Sequence, residues 1–191
     1  RFESLLVCGA VGPGEGDMAY YAREKGVKPV YVPELRRELN PLNDLIAFVK
    51  ICRIIRVEKP DIIHTHTAKA GALGRVAGIL YNYGKRLPAC RQAGFAFGAR
   101  NDIEIIHTFH GHIFEGYFGS LSTRVFIIIE KILACFTDKI ITVSEEVRKE
   151  LISLGICRAD KIAVVPLGFE LDKFLEIVPR SVSVLICFIS S

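Results

Sequence analysis

The chain has 191 residues, of which 50% are hydrophobic and 24% are charged. This composition is typical of a folded globular domain and argues against a disordered chain, a collagen or a coiled coil. The formal net charge of +4 is too small to indicate nucleic-acid binding. No run of about 18 uncharged apolar residues predicts a membrane-spanning helix.

Two features of the chain predict a cytoplasmic protein. The six cysteines are scattered without a Cys-x-x-Cys pair, and most lie in apolar runs, which favours buried free thiols in a reducing compartment over disulfides. The first residues, RFESLLVCG, lack the charged region, apolar region and cleavage site of a signal peptide.

Short apolar runs alternate along the chain with longer segments of helical periodicity. The predicted strands are residues 5–8, 29–32, 61–67, 103–108, 139–143 and 162–165. The predicted helices are residues 18–25, 68–81 and 120–136, one that is capped by Asn40 and ends before Pro60, and one that is capped by Ser144. Repeated strand–helix units with Ile- and Val-rich strands predict an α/β fold, in which helices cover both faces of a mostly parallel sheet.

The helix predicted at residues 120–136 has a single apolar stripe. Its members are Leu121, Val125, Ile128, Ile129, Ile132 and Phe136. Such a stripe can contact a membrane, but Glu130 and Lys131 lie in the same helix, so we expect the stripe to face the protein core. The helix after Asn40 has a similar apolar series, namely Leu42, Leu45, Ile46, Val49, Cys52 and Ile55.

Two other segments differ from this pattern. Residues 84–102 contain four basic residues and one acid, a net charge of +3, and predict an exposed variable loop. The glycine-rich run at residues 12–16, GPGEG, matches neither a P-loop nor a dinucleotide-binding motif, so it predicts a flexible turn.

All five histidines fall at the ends of two predicted strands. His64 and His66 end one strand, whereas His107, His110 and His112 lie at and just beyond the end of another. Ligands of open parallel sheets bind outside the carboxyl ends of the strands. The histidines therefore predict a ligand site at this edge.

Residues near these histidines extend the predicted site. Thr67 can cap a helix that begins at the same edge, and Lys69 in its first turn would add a positive charge, which together favour an anion site. Gly71, Gly74 and Gly78 share one face of that helix, which indicates either tight packing or close approach of a ligand. Glu115 is a candidate acid–base residue or ligand of sugar hydroxyls, with a solvated loop carboxylate as the alternative.

Four motifs occur in a characteristic order, namely HTHTAKAGALGR, HTFHGHIFEGYF, DKIITVSEEVRKEL and KIAVVPLGFELDKF. With this order and spacing, residues 5–174 resemble the N-terminal domain of glycosyltransferase family 4. The resemblance implies the Rossmann-like N-terminal half of a GT-B fold, in which two such domains face each other across a cleft.

The resemblance also implies an activity. Enzymes of this family transfer a sugar from a nucleotide-sugar donor, here UDP- or GDP-linked, with retention at the anomeric carbon and without a required metal or cofactor. The acceptor would be a glycan or lipid-linked, as in the synthesis of cell-surface polysaccharides or glycolipids, and the resemblance allows peripheral contact with the inner face of the membrane. No nucleic acid is expected as a partner.

The family's motif residues give a set of expected site residues. His110 matches the catalytic histidine of the family's T-[FV]-H-G-type motif, which lies beside the donor sugar. The residues expected to bind substrate are His64, His66, Lys69, His107, His112 and Glu115.

The resemblance also divides the chain. Residues 1–175 would be the acceptor-side domain, and residues 176–191 the start of the donor-binding domain or a disordered tail. The family's first strand and its glycine-rich loop have no counterpart before LLVCG. We therefore expect LLVC to pair directly with the strand at 61–67, with the tail filling that gap as the alternative, and we expect the chain alone to be inactive.

Three other functions fit parts of the pattern. His64, His66, His110 and His112 would suit a metal-dependent hydrolase, although no acid follows at a matching strand end. A nucleotide-sugar epimerase shares the GT-B architecture, and a non-catalytic binding module is the third alternative.

Overall fold

The computed structural model describes residues 4–10, 19–86, 102–111, 120–166 and 168. The strands are β1 (Val7–Gly9), β2 (Val30–Val32), β3 (Ile62–His66), β4 (Glu104–Phe109), β5 (Lys139–Thr142) and β6 (Ile162–Val164). The helices are α1 (Ala19–Glu24), α2 (Pro41–Glu58), α3 (Ala68–Arg86), α4 (Ser120–Cys135) and α5 (Glu145–Ser153), followed by a short 3-10 helix at Ala159–Lys161.

The ends of α2 and α5 follow from their capping residues. Asn40 has extended backbone, and its side chain accepts a hydrogen bond from the backbone N–H of Asn43 at 3.2 Å. Helix α2 ends where Lys59 adopts a left-handed conformation, with φ of 48°. Ser144 caps α5 in the same way by accepting from the N–H of Val147 at 3.3 Å. The N-caps predicted at Asn40 and Ser144 are confirmed.

All the strand pairs in the described part of the chain are parallel. Strands β3, β4, β5 and β6 form one sheet in chain order, and β1 pairs with β2 in another. Each pair is connected through a helix, as parallel strands require. The predicted Rossmann-like α/β fold with a parallel sheet is confirmed.

The expected pairing of LLVC with the strand at 61–67 is wrong within the described residues. Strand β1 bonds to β2, starting with the N–H of Val30 and the carbonyl of Leu6 at 2.8 Å, and β3 lies at the end of its own sheet. Helix packing makes the connection instead, because Ile51 and Ile55 of α2 join a core cluster with Ala77 of α3. The alternative, a tail in this gap, concerns residues 176–191, which lie outside the described part.

The core has two clusters of buried side chains on the helix side of the four-stranded sheet. One joins α2 and α3 to the start of β4, with Ile51, Ile55, Ala77, Tyr81 and Ile103 buried. The other joins α4 and α5 to β4 and β5, with Phe109, Ala134, Ile140, Val147, Leu151 and Ile156 buried. These clusters fix the helices that surround the carboxyl ends of β3 and β4.

The apolar stripe of α4 does not face the core, contrary to the prediction. Ile128 and Ile132 are 56% and 55% exposed, and Val125, Ile129 and Phe136 are exposed as well. The buried side of α4 holds Glu130, Leu133 and Ala134. The helix is turned this way because Glu130 forms a buried ion pair with Arg75 of α3.

The structure also bears on the predictions for the cysteines and for membrane-spanning helices. Cys8, Cys52, Cys135 and Cys157 form no disulfide, but the first two and Cys157 are half-buried and Cys135 is exposed, so the burial expected of the thiols is not found at these four. Among the described helices, none is both long and apolar enough to cross a membrane. The glycine-rich run at 12–16, residues 87–101 of the long connection, and the candidate residues His112 and Glu115 lie outside the described residues.

Candidate functional site

The register of β3 and β4 brings four histidines together at the carboxyl ends of these strands. Thr65 lies opposite His107, and His66 lies opposite Thr108. Side chains alternate between the two faces of a strand. Because Thr65 points toward α3, where it lies beside Gly74, His64 and His66 point to the opposite face.

His64, His66 and His110, which we call the outer cluster, lie on the face away from α3. The His64 Nε2 lies 2.7 Å from the Thr108 hydroxyl, and the His66 Nδ1 lies 2.8 Å from the His110 Nε2. The ring centroids of His64 and His66 are 4.3 Å apart, and those of His66 and His110 are 5.1 Å apart. All three imidazoles are exposed to solvent, so a ligand can reach them.

The surroundings of His64 and His66 favour neutral imidazoles. Partial burial, and then repulsion from neighbouring histidines, lowers the pKa of both His64 and His66 below the ordinary value. The bond between His66 and His110 also needs one nitrogen without a proton, so both rings cannot be cations while it persists. Neutral imidazoles can donate and accept hydrogen bonds, which suits the hydroxyl groups of a sugar.

Thr65 and His107, which we call the inner pair, lie on the helix side of the same strands. The side chain of His107 is fully buried, and its Nδ1 lies 2.9 Å from the Thr65 hydroxyl. That hydroxyl can donate to the carbonyl of Ile106 at 3.2 Å, so Nδ1–H of His107 can donate to Thr65 in turn. Burial, reinforced by the positive charge of Arg75, lowers the pKa of His107 to about 3.

A close approach of α3 holds His107 in place. A Cβ atom at Gly71 would lie 2.5 Å from the Cε1 of His107, so only glycine fits there. A Cβ atom at Gly74 would likewise be too close to the side chain of Thr65. Both glycines therefore allow helix α3 to pack tightly on the strands. Of the predicted site residues, His107 is therefore separated from the outer cluster by the sheet itself.

A buried ion pair lies behind the inner pair. The Nη2 of Arg75 lies 2.8 Å from a carboxylate oxygen of Glu130, and the two side chains are 0% and 6% exposed. Arg75 also donates through Nε to the carbonyl of Gly71 at 3.0 Å. The pair thus joins α3 to α4. Arg75 was not among the predicted residues; the lone glutamate in the apolar helix α4 indicates that a buried cation lies nearby but does not identify it.

Lys69 has a different environment from the one the sequence predicts. It forms an ion pair with Asp44 of α2 and donates to the carbonyl of Glu38. Thr67 adopts a left-handed conformation with φ of 61°, uncommon for a β-branched residue, rather than the extended conformation of an N-cap. Lys69 thus ties the start of α2 to the start of α3, and its charge is already compensated.

The described residues offer no metal centre. No group of three or more His, Cys, Asp or Glu side chains among them is arranged to hold a metal ion. The metal-dependent hydrolase considered from the sequence therefore has no support in this part of the chain.

Comparisons with known proteins place the chain in a family. The family model for Glycosyltransferase Family 4 matches residues 6–173. An Escherichia coli relative, UDP-Gal:alpha-D-GlcNAc-diphosphoundecaprenol alpha-1,3-galactosyltransferase, is 28% identical over 91% of this chain and 39% of its own length. The Staphylococcus aureus capsular polysaccharide biosynthesis glycosyltransferase CapM is 28% identical over 75% of this chain and 34% of its own length.

A solved structure shows the same fold. Anabaena HepE, in complex with UDP and glucose, matches 87% of this chain and 38% of its own with a TM-score of 0.56 and 17% sequence identity. The chain spans 39% and 34% of the length of the two curated relatives. Since the family model matches residues 6–173, most of the sequence, the chain belongs to glycosyltransferase family 4.

Proposed function

We propose that this chain is the acceptor-side part of a retaining glycosyltransferase. It would transfer a hexose from a UDP- or GDP-linked donor to a lipid-linked or glycan acceptor, in the synthesis of a cell-surface polysaccharide or glycolipid. The named activities of the relatives support this class of reaction, since one acts on a diphosphoundecaprenol-linked sugar and the other serves capsule synthesis.

The observation that carries the proposal is the outer cluster. His110 lies in the family's histidine motif, and His66 bonds to its Nε2 at 2.8 Å. This contact leaves the Nδ1 of His110 for a ligand and restricts rotation of the ring. His110 is thus held at the strand edge where a sugar would bind.

The chemistry of the cluster fits binding and orientation of sugar groups. The imidazoles of His64 and His110 would hydrogen-bond to hydroxyls of the donor sugar or acceptor. In retaining transfer, the bond between the anomeric carbon and the leaving diphosphate breaks while the acceptor oxygen bonds to the same face of the sugar. Groups that stabilise the diphosphate are expected in the donor-side domain, so the 191-residue chain alone should give only background transfer.

The test uses the chain joined to the C-terminal part of the E. coli relative. Transfer of radiolabelled sugar from UDP- and GDP-linked donors to a diphosphoundecaprenol-linked acceptor is measured with and without His110→Ala. We expect kcat to fall by about 10²-fold with a smaller change in KM, because the interaction is made mainly in the transition state.

Two further variants sharpen the result. His66→Ala should lower kcat less than His110→Ala does, because it removes only the contact that orients the ring. Arg158→Ala removes an exposed ion pair with Asp160 just before β6, at the opposite edge of the sheet, and should leave kcat unchanged. An unchanged kcat in His110→Ala, or donor hydrolysis that does not require acceptor, would contradict the proposal.

A further inference from the structure

Thr108 is a buried residue among the exposed histidines of the outer cluster. It lies opposite His66 in the register of β3 and β4, and it is only 6% exposed. Its hydroxyl lies 2.7 Å from the Nε2 of His64, which reaches diagonally across from the neighbouring strand. Either atom can donate a hydrogen bond at this distance, so the direction of the bond depends on what else surrounds Thr108.

These surroundings favour the Thr108 hydroxyl as the donor. Among the described residues, the Nε2 of His64 is the only hydrogen-bond partner of that hydroxyl. If Nε2–H donated instead, the proton of a buried hydroxyl would be left without an acceptor, which costs free energy. The lowered pKa of His64 agrees with this direction, because a neutral ring has a nitrogen that can accept.

The inner pair contains the same two residue types with the opposite direction of bonding. The Thr65 hydroxyl can donate to the carbonyl of Ile106 at 3.2 Å, so it can accept from the Nδ1–H of His107. Within the described part of the chain, no carbonyl accepts from the Thr108 hydroxyl. The threonine of the outer face therefore has a proton to donate to a histidine, whereas the threonine of the inner face does not.

A donor at Thr108 determines the tautomer of His64. A neutral imidazole carries one proton, on Nδ1 or on Nε2, and a histidine side chain in water carries it mainly on Nε2. When Nε2 accepts from Thr108, the proton of a neutral ring must lie on Nδ1. His64 is exposed, and its Nδ1 has no hydrogen-bond partner among the residues that the structure describes. This Nδ1–H is therefore available to a ligand.

We propose that Thr108 is a positioning residue of the outer cluster. Its hydroxyl holds His64 in the Nδ1–H tautomer, so that His64 donates a hydrogen bond to a hydroxyl oxygen of the sugar substrate. The ring centroids of His64 and His66 are 4.3 Å apart, so a fixed His64 also limits how the His66 ring can turn. The choice of ligand rests on the proposed function, but the assignment of the tautomer does not.

NMR tests the tautomer without any sugar transfer. In the 191-residue chain with isotope-labelled histidine, correlations between ring protons and ring nitrogens show which nitrogen carries the proton. Above the titration range of histidine, we expect the His64 proton on Nδ1. Thr108→Val keeps the shape of the side chain but loses the hydroxyl, and it should move the proton largely to Nε2. Thr108→Ser keeps the hydroxyl, so the proton should stay on Nδ1.

Thr142 provides a matched control on the next strand. It is fully buried, lies opposite Phe109 in the register of β4 and β5, and its hydroxyl has no hydrogen-bond partner within the described residues. Thr142→Val makes the same chemical change as Thr108→Val and should leave the His64 tautomer unchanged. Because it removes no hydrogen bond, this variant should fold as well as the parent chain does.

Transfer kinetics test whether the donor of His64 serves the ligand. In the chain joined to the C-terminal part of the E. coli relative, KM is measured separately for the sugar donor and for the acceptor. Thr108→Val should raise one of the two KM values by about fivefold with little change in kcat, because it weakens a bond made in the ground state and the transition state alike. Thr108→Ser and Thr142→Val should have the parent values.

Three results would overturn the proposal. One is a His64 proton on Nε2 in the parent chain, a measurement that does not require any variant to fold. Another is a tautomer or KM that Thr108→Val leaves unchanged, or that Thr108→Ser changes to the same extent. The third is the same change in Thr142→Val. If the joined protein transfers no sugar but NMR finds the expected tautomers, the proposed function fails and the positioning of His64 by Thr108 stands.

Discussion

The inner pair and the outer cluster place the same residue type in opposite environments on adjacent strands. His107 is fully buried, bonds to Thr65, and has its pKa lowered to about 3. His64 and His66, on the other face of the sheet, are exposed and bond to Thr108 and His110. Burial makes His107 part of the packing, whereas exposure leaves the outer cluster free to meet a ligand.

The difference arises because side chains alternate between the two faces of a strand, so that the two faces of the sheet edge have different roles. The inner side chains, together with Gly71 and the Arg75–Glu130 pair, fix α3 and α4 against the strands. The outer side chains therefore project from strand ends that this packing holds in place. Substitutions on the inner side should therefore change stability, and substitutions on the outer side should change binding or titration.

The largest effect should come from Arg75. Replacing Arg75 with Ala leaves the Glu130 carboxylate buried without its cation, and we expect a loss of about 3–5 kcal/mol in the free energy of unfolding. Urea unfolding measures it. The double variant Arg75→Met with Glu130→Leu should lose less than Arg75→Ala, because neither charge is then left unpaired.

An exposed ion pair provides the control for Arg75. Arg148 and Glu145 on α5 are 3.1 Å apart, and their side chains are 32% and 52% exposed. Arg148→Ala should change the free energy of unfolding by less than about 1 kcal/mol. Similar losses in Arg75→Ala and Arg148→Ala would show that the inner pair does not hold α3 to α4.

Gly71 should be the next most sensitive position on the inner side. The added methyl group of Gly71→Ala would lie 2.5 Å from the His107 ring, so helix or ring must move. We expect a loss of about 1–3 kcal/mol in urea unfolding. Gly111→Ala, where a Cβ would meet nothing within 4 Å, is the matched control and should be close to neutral. A neutral Gly71→Ala would mean that α3 does not press on His107.

The sequence predicted the elements, and the sheet edge where the histidines gather, better than the packing of each side chain. Caps at Asn40 and Ser144 are local signals, and histidines at the carboxyl ends of parallel strands must share an edge. Which face His107 points to depends on its register opposite Thr65 of the neighbouring strand. Arg75 and Glu130 lie 55 positions apart, so no local pattern shows that they pair, or that the stripe of α4 turns outward as a result.

The pH dependence of stability should reveal His107. Its pKa is about 3 in the folded state and near 6.5 when exposed, so between these values the unfolded chain binds more protons. The free energy of unfolding should therefore fall as the pH drops through this range, by up to about 1.4 kcal/mol per pH unit from this residue. Urea unfolding at about pH 7 and pH 5 measures the slope.

His107→Asn tests that assignment, since asparagine can still bond to Thr65 but does not titrate. The variant should be less stable at neutral pH, yet its stability should fall less between the two pH values than that of the parent chain. Equal slopes in the two proteins would show that His107 is not buried in the neutral form.

The smallest effect on stability, and the clearest on titration, should come from the outer cluster. His110→Ala removes an exposed side chain, so the free energy of unfolding should change by about 0.5 kcal/mol or less.

Repulsion from His110 is one of the influences that lower the pKa of His66, after burial and the charge of His64. The pKa of His66, followed by NMR of its ring protons, should therefore rise toward its ordinary value in the variant. The pKa of His107 should stay far below the range of the outer cluster, because burial is its main cause. If the titration of His66 does not change, the rings of His66 and His110 are not in contact in solution. The outer cluster would then not be a coupled group, and its contrast with the packed inner side would not hold.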